Sequence, residues 1–142
     1  MSLAGNSSQS KPLVLDENRL FAADPAQRAI ARRLYAQVAQ WPIVSPHGHT
    51  DPSWFAGNAP FANAAELLLV PDHYVFRMLY SQGVPLDALG IPRRDGTRAE
   101  VDPREAWRLF AERFHLFRGT PSSMWLNHVF HEVFGLRQRL DA

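Results

Sequence analysis

The sequence predicts a mainly helical chain with one short strand, and three observations carry that expectation. A capping residue is followed directly by proline at Asp24-Pro25, Asp102-Pro103 and Thr120-Pro121, the arrangement of a helix whose first turn opens on the proline. After each of these pairs, apolar side chains recur at intervals of three or four residues. Only Ile43-Val44-Ser45 reads as a strand, and Pro46, which has no backbone donor, ends its hydrogen bonding just before His47.

Taken in order, residues 1–11 are rich in Ser, Asn, Gly and Gln, lack apolar periodicity and read as a mobile tail; 12–142 read as one domain. A helix is expected over 25–40, with Ile30, Leu34 and Val38 on its apolar stripe and Arg28, Arg32 and Arg33 on a solvated face. Asp51-Pro52 reads as a turn after the strand. Asn63 with Glu66 three residues on is a capping-box spacing and opens a short buried helix over 64–70. Asp72 caps a further helix that stops at Gly83, with His73 and Arg77 four apart on one face and Val75, Phe76, Met78 and Leu79 supplying apolar surface. Residues 86–98, with Gly90, Pro92 and Gly96, read as a surface connection holding one helical turn near 87–89. A strongly amphipathic helix then carries Trp107, Phe110, Phe114 and Phe117 as core and ends at Arg118-Gly119. The last helix starts at Pro121, is apolar on most sides and breaks at Gly135.

Composition excludes several classes of function. Lys plus Arg number 15 against 14 Asp plus Glu, a formal net charge of +1 with the arginines dispersed, so there is no electrostatic case for nucleic acid. With no cysteine there is neither a disulfide framework nor a thiolate metal site, which leaves the six histidines and the carboxylates as metal ligands. No apolar run approaches the roughly 20 residues of a membrane span, and the start lacks the order of a signal peptide, so a soluble cytoplasmic protein is the expectation.

The chemistry concentrates in His47-Gly48-His49. On a strand, a period of two places both imidazoles on one face at its carboxyl end, where they can share a metal ion, whereas in a loop the same tripeptide carries no function. His128, His131 and Glu132 offer a second grouping, but the order His-x-x-His-Glu is not that of zinc peptidases and lacks their general base, so a site there is disfavoured.

These segments together resemble the front part of a uronate (glucuronate) isomerase, a branch of the amidohydrolase superfamily. The likeness covers about 12–138 and rests on Ala29-Ile30-Ala31-Arg32-Arg33-Leu34-Tyr35, Pro42-Ile43-Val44-Ser45-Pro46-His47-Gly48-His49, Asp72-His73-Tyr74 with Arg77, Gln82-Gly83-Val84, and Trp125 with Phe134-Gly135-Leu136. Ser45-Pro46 departs from relatives that carry an acidic and an aromatic residue there. The resemblance implies a distorted (β/α)8 TIM barrel with a helical insertion, His47-Gly48-His49 ending its first strand. It also implies zinc or another divalent metal on His47 and His49, completed by an aspartate from the last strand.

The implied reaction interconverts D-glucuronate with D-fructuronate, or D-galacturonate with D-tagaturonate. The implied substrate-facing residues are His73, Tyr74 and Arg77. Tyr74 hydrogen-bonds the sugar acid or assists proton transfer between C1 and C2, and His73 orients a hydroxyl. Such a barrel takes about 250 residues, and this chain has 142. The expectation is therefore the front part of an enzyme, or a shortened relative, mainly α, inactive by itself, weak in metal binding and prone to pair with other copies through surfaces a barrel would cover. Two other readings stand beside it: a helical interaction module in which both histidines are incidental, and a hydrolase of the same superfamily, which shares His-x-His but not Asp72-His73-Tyr74.

Overall fold

The computed structural model describes residues 11–45 and 47–141. Internal packing divides the chain into two compact units, one of Val14–Gly48 and the other of His49 onward together with the segment up to Leu13. The expected tail over 1–11 lies, except for Lys11, outside the described residues. Lys11 itself is engaged, its carbonyl accepting the Arg139 N–H at 2.9 Å beside an isolated antiparallel bridge between Pro12 and Gln138.

In the smaller unit α1 spans Pro25–Val38. Asp24 accepts the Gln27 N–H at 2.8 Å, and Pro25 sits where a helix has no use for a donor. Arg32 does more than face water. Its guanidinium bonds Asn18 Oδ1 at 2.6 and 3.0 Å, pairs with Glu17 at 3.3 Å and lies 5.0 Å from the centre of the Phe21 ring, so it ties the preceding turn to the helix. None of the α1 side chains is buried; Ile30, Leu34 and Val38 all stay largely exposed.

The expected strand over 43–45 does not form. Ile43 and Val44 are 92% and 90% exposed, and the isolated bridge at Pro12 and Gln138 involves neither. A β-strand satisfies its backbone groups on a neighbouring strand, and the described residues supply none beside this one.

In the larger unit α2 spans Pro52–Gly57 and replaces the turn expected at Asp51-Pro52. Asp51 accepts the Ser53 N–H at 2.8 Å, repeating the Asp-Pro start of α1, and Asn58 ends the helix in the left-handed conformation. Helix α3 covers Ala64–Leu68, with Asn63 accepting the Glu66 N–H at 3.0 Å; α4 covers His73–Ser81. A tight 3₁₀ turn, Leu86–Leu89, stands where one helical turn was expected.

Helix α5, Pro103–Glu112, is shorter than the aromatic spacing suggests. The chain tightens after Arg113 into a 3₁₀ turn, Phe114–Phe117. Residues three apart lie on the same side of such a turn, and Phe114 and Phe117 accordingly stack at 5.9 Å, both buried. Phe110 meets Trp107, Phe114 and Phe117 edge-on at 5.1 to 5.7 Å, so the expected stripe is the core. Helix α6, Pro121–His128, runs without a break into a π turn, Val129–Val133, in which Phe130 points inward while Val133 is two-thirds exposed.

Phe110 has no exposed surface, so Phe110→Ala is expected to cost about 3–5 kcal/mol in denaturant unfolding, against no more than about 0.5 kcal/mol for Val133→Ala at the exposed turn. Asp87 holds Arg93 through two bonds, at 2.6 and 3.2 Å, and the guanidinium keeps its carboxyl below the ordinary aspartate value. A depressed carboxyl stabilises the fold above its unfolded value and loses that contribution as pH falls through the folded value. Asp87 is thus expected to titrate more acidic than a free aspartate by carboxyl NMR, and Arg93→Ala to return it to the ordinary range.

Candidate metal and substrate site

Helix α4 begins with N–H groups that have no partner inside the helix. Asp72 answers one of them, its Oδ1 accepting the Tyr74 N–H at 2.8 Å with the residue almost wholly buried. That cap fixes where His73 and Tyr74 leave the first turn. Val75 and Leu79, fully buried, fix the helix's other face against the core.

His49 comes to the same place from the other side in sequence. Its Nδ1 lies 3.3 Å from Asp72 Oδ1. The His49 ring stands 4.4 Å from His73 and 4.8 Å from Tyr74, and His73 stands 4.5 Å from Tyr74, all three pairs tilted by 36 to 41°. Three aromatic rings, two of them imidazoles, thus gather at the amino end of α4. His49 and His73 are half-buried, and Tyr74 is 60% exposed, so its ring is open to an incoming molecule.

One ligand atom from each of His49, Asp72 and His73 falls within 4.8 Å of the others, and this is the group of three or more metal-ligating side chains among the described residues. Two imidazole nitrogens and a carboxylate oxygen suit zinc and the other divalent metals that favour nitrogen and oxygen donors. The donor chemistry suits a divalent metal, on a set that shares only His49 with the His47 and His49 pair expected from the sequence.

Of the residues singled out in the sequence, the structure brings together His49, His73 and Tyr74. Arg77 lies exposed one turn further along α4. His47 belongs to the smaller unit, is exposed, and its carbonyl accepts the Ser45 hydroxyl at 2.7 Å. Asp72 entered the sequence reading only as a cap and a motif letter; that a capping carboxylate is also a ligand-type group near His49 was the signal to follow. His131 turns to its neighbour, with Nδ1 2.7 Å from Glu132 Oε1, a contact that holds the Glu132 carboxyl below its usual range.

Two half-buried imidazoles and a buried carboxylate, gathered with Tyr74 at the start of α4, define a candidate metal site of nitrogen and oxygen donors. Comparison with known proteins gives the class its particular form. The glucuronate isomerase family model matches residues 18–142, and the chain belongs to that family. It is 76% identical to a uronate isomerase of Xanthomonas euvesicatoria pv. vesicatoria over 94% of the chain, and 70% identical to one of Sphingopyxis alaskensis over 93%. In structure it is similar to glucuronate isomerase from Caulobacter crescentus, with a TM-score of 0.86, 64% identity and 93% of the chain covered. The chain spans only 28% of the Xanthomonas relative and 27% of the Caulobacter chain.

Removing the cap tests how α4 is held. Asp72→Ala is expected to cost about 0.5–2 kcal/mol in denaturant unfolding, and Asp72→Asn, which keeps a capping oxygen, only a few tenths of that scale.

Proposed function

We propose that these residues are the front part of a uronate isomerase, a distorted TIM barrel in which 43–45 becomes the first strand once neighbouring strands pair with it. The observation that carries the reading is the gathering of His49, His73 and Tyr74 at the start of α4 in a chain of this family. The substrate is a uronic acid, D-glucuronate or D-galacturonate, and the products are the ketoses D-fructuronate and D-tagaturonate, whose carboxylate stays at the far end of the chain. His47 and His49 hold the divalent metal, zinc by preference, together with a carboxylate from a later strand. When bound, the metal supplies Lewis acidity to the sugar oxygens.

The chain's own residues do the rest of the work assigned here. An aldose–ketose isomerisation moves one proton from C2 to C1 and one from the O2 hydroxyl to O1. Tyr74, exposed and carrying a phenol that both donates and accepts, passes a proton between these positions in this reading. His73, held against both other rings, orients a substrate hydroxyl. Arg77, exposed one turn along, meets the substrate carboxylate. The later strands and their side chains are missing from such a site, so the 142-residue chain alone is inactive. A metabolic enzyme of this kind works in the cytoplasm, and among the described residues no helix is long and apolar enough to cross a membrane.

In a Xanthomonas relative whose matching segment is replaced by these 142 residues, Tyr74→Phe is expected to lower kcat about 10²–10⁴-fold with D-glucuronate, a loss below threefold removing Tyr74 from the proton path. The 142-residue chain with zinc is expected to show no turnover; a normal enzyme rate overturns the assignment of a partial site.

A second reading rests on a different observation: Trp41, Ile43, Val44 and Phe55 are each more than two-thirds exposed. Such a chain is a helical module that buries these side chains against other copies of itself. Zinc titration separates the readings. Binding that is weakened in the His47→Ala, His49→Ala double variant supports the metal site, and equal binding by both chains supports the module.

A further inference from the structure

Asp72 takes no step in the isomerisation, and beyond its place among the ligand-type groups a single oxygen of its side chain faces two nitrogens. Oδ1 accepts the Tyr74 N–H at 2.8 Å and faces His49 Nδ1 at 3.3 Å, with the side chain 12% exposed. A carboxylate oxygen offers only lone pairs, and a neutral imidazole carries one N–H. Two lone pairs facing each other at that separation repel, so the Asp72 carboxylate selects the form of His49 that is protonated at Nδ1. The ligating lone pair of a neutral His49 then belongs to Nε2.

We propose that Asp72 is a positioning residue that holds His49 in the Nδ1–H tautomer and sets its ring against His73 and Tyr74, so that Nε2 is the nitrogen offered to the metal. One carboxylate thereby couples two parts of the site. It starts the helix that carries His73 and Tyr74, and it orients the histidine that meets them, as carboxylates behind metal-bound histidines commonly do. The competing arrangement makes Asp72 itself a ligand beside His49, with Nδ1 stripped of its proton. The two arrangements differ in which nitrogen is protonated. The proposal rests on the metal reading only for what Nε2 meets; the tautomer is a property of the chain before any metal binds.

The test is long-range ¹H–¹⁵N NMR of the histidine rings in the 142-residue chain, metal-free and with zinc. Native His49 is expected as Nδ1–H. Asp72→Ser keeps a good N-cap but is one atom too short to hold the ring, so His49 should turn to the Nε2–H form while the α4 amides stay protected from exchange. Asp72→Asn, which retains Oδ1, should restore Nδ1–H. Added zinc should move Nε2 of His49, and Asp72→Ser should weaken zinc binding about 10–100-fold. Nε2–H in the native chain, a tautomer unchanged in Asp72→Ser, or zinc on Nδ1 overturns the proposal. If Asp72→Ser fails to fold, the native tautomer decides alone. If the chain binds no zinc, the native and Asp72→Ser tautomers still decide the role of Asp72.

Discussion

The start of helix α4 is the constraint on which the site depends. A helix cannot begin in a buried place without a partner for its first N–H groups, and Asp72 is that partner for Tyr74. Because the cap is a carboxylate rather than a serine, the helix end also carries a negative group within reach of an imidazole. Local folding and site chemistry therefore use the same atom. Val75 and Leu79, both fully buried, anchor that helix in the core behind the cap.

Much of the helical architecture was legible because helix starts are local events. Asp24, Asn63, Asp102 and Thr120 cap helices through their own side chains, as their spacing to proline or glutamate predicts, and Asp72 caps α4 without either signal. The same rule at Asp51-Pro52 marks α2, where the short apolar content after it hid a helix of six residues. Helix ends were read less well. Trp107 to Phe117 keeps helical spacing on paper, yet ring packing favours a tighter turn after Arg113. The strand over 43–45 failed for the opposite reason: its pairing is not local, and a pattern of apolar residues cannot supply a neighbour.

The site was legible in its members but not in its joints. His49 stood out with His47 from the residues themselves, His73 and Tyr74 through the family resemblance, and their meeting follows from where α4 begins. Asp72 was masked by its own ordinary explanation, since a cap needs no further reason to be aspartate. The chain belongs to the glucuronate isomerase family and spans 28% of the Xanthomonas relative, and within it α1 keeps its apolar stripe in water.

The π turn at the end of α6 has a consequence for how this region tolerates change in length. Its wider loop, closed from the Phe134 N–H to the Val129 carbonyl at 3.0 Å, holds one residue more than an α turn would. That extra residue is taken up within the turn, so loss of one residue between 129 and 133 is met by narrowing the winding to that of an α-helix, whereas the same loss inside α5 turns everything after it by about 100° around the helix axis. Leu136, whose N–H reaches the Phe130 carbonyl at 2.8 Å, and the segment that pairs with Lys11 and Leu13 thus follow a stretch that can shorten without turning them away.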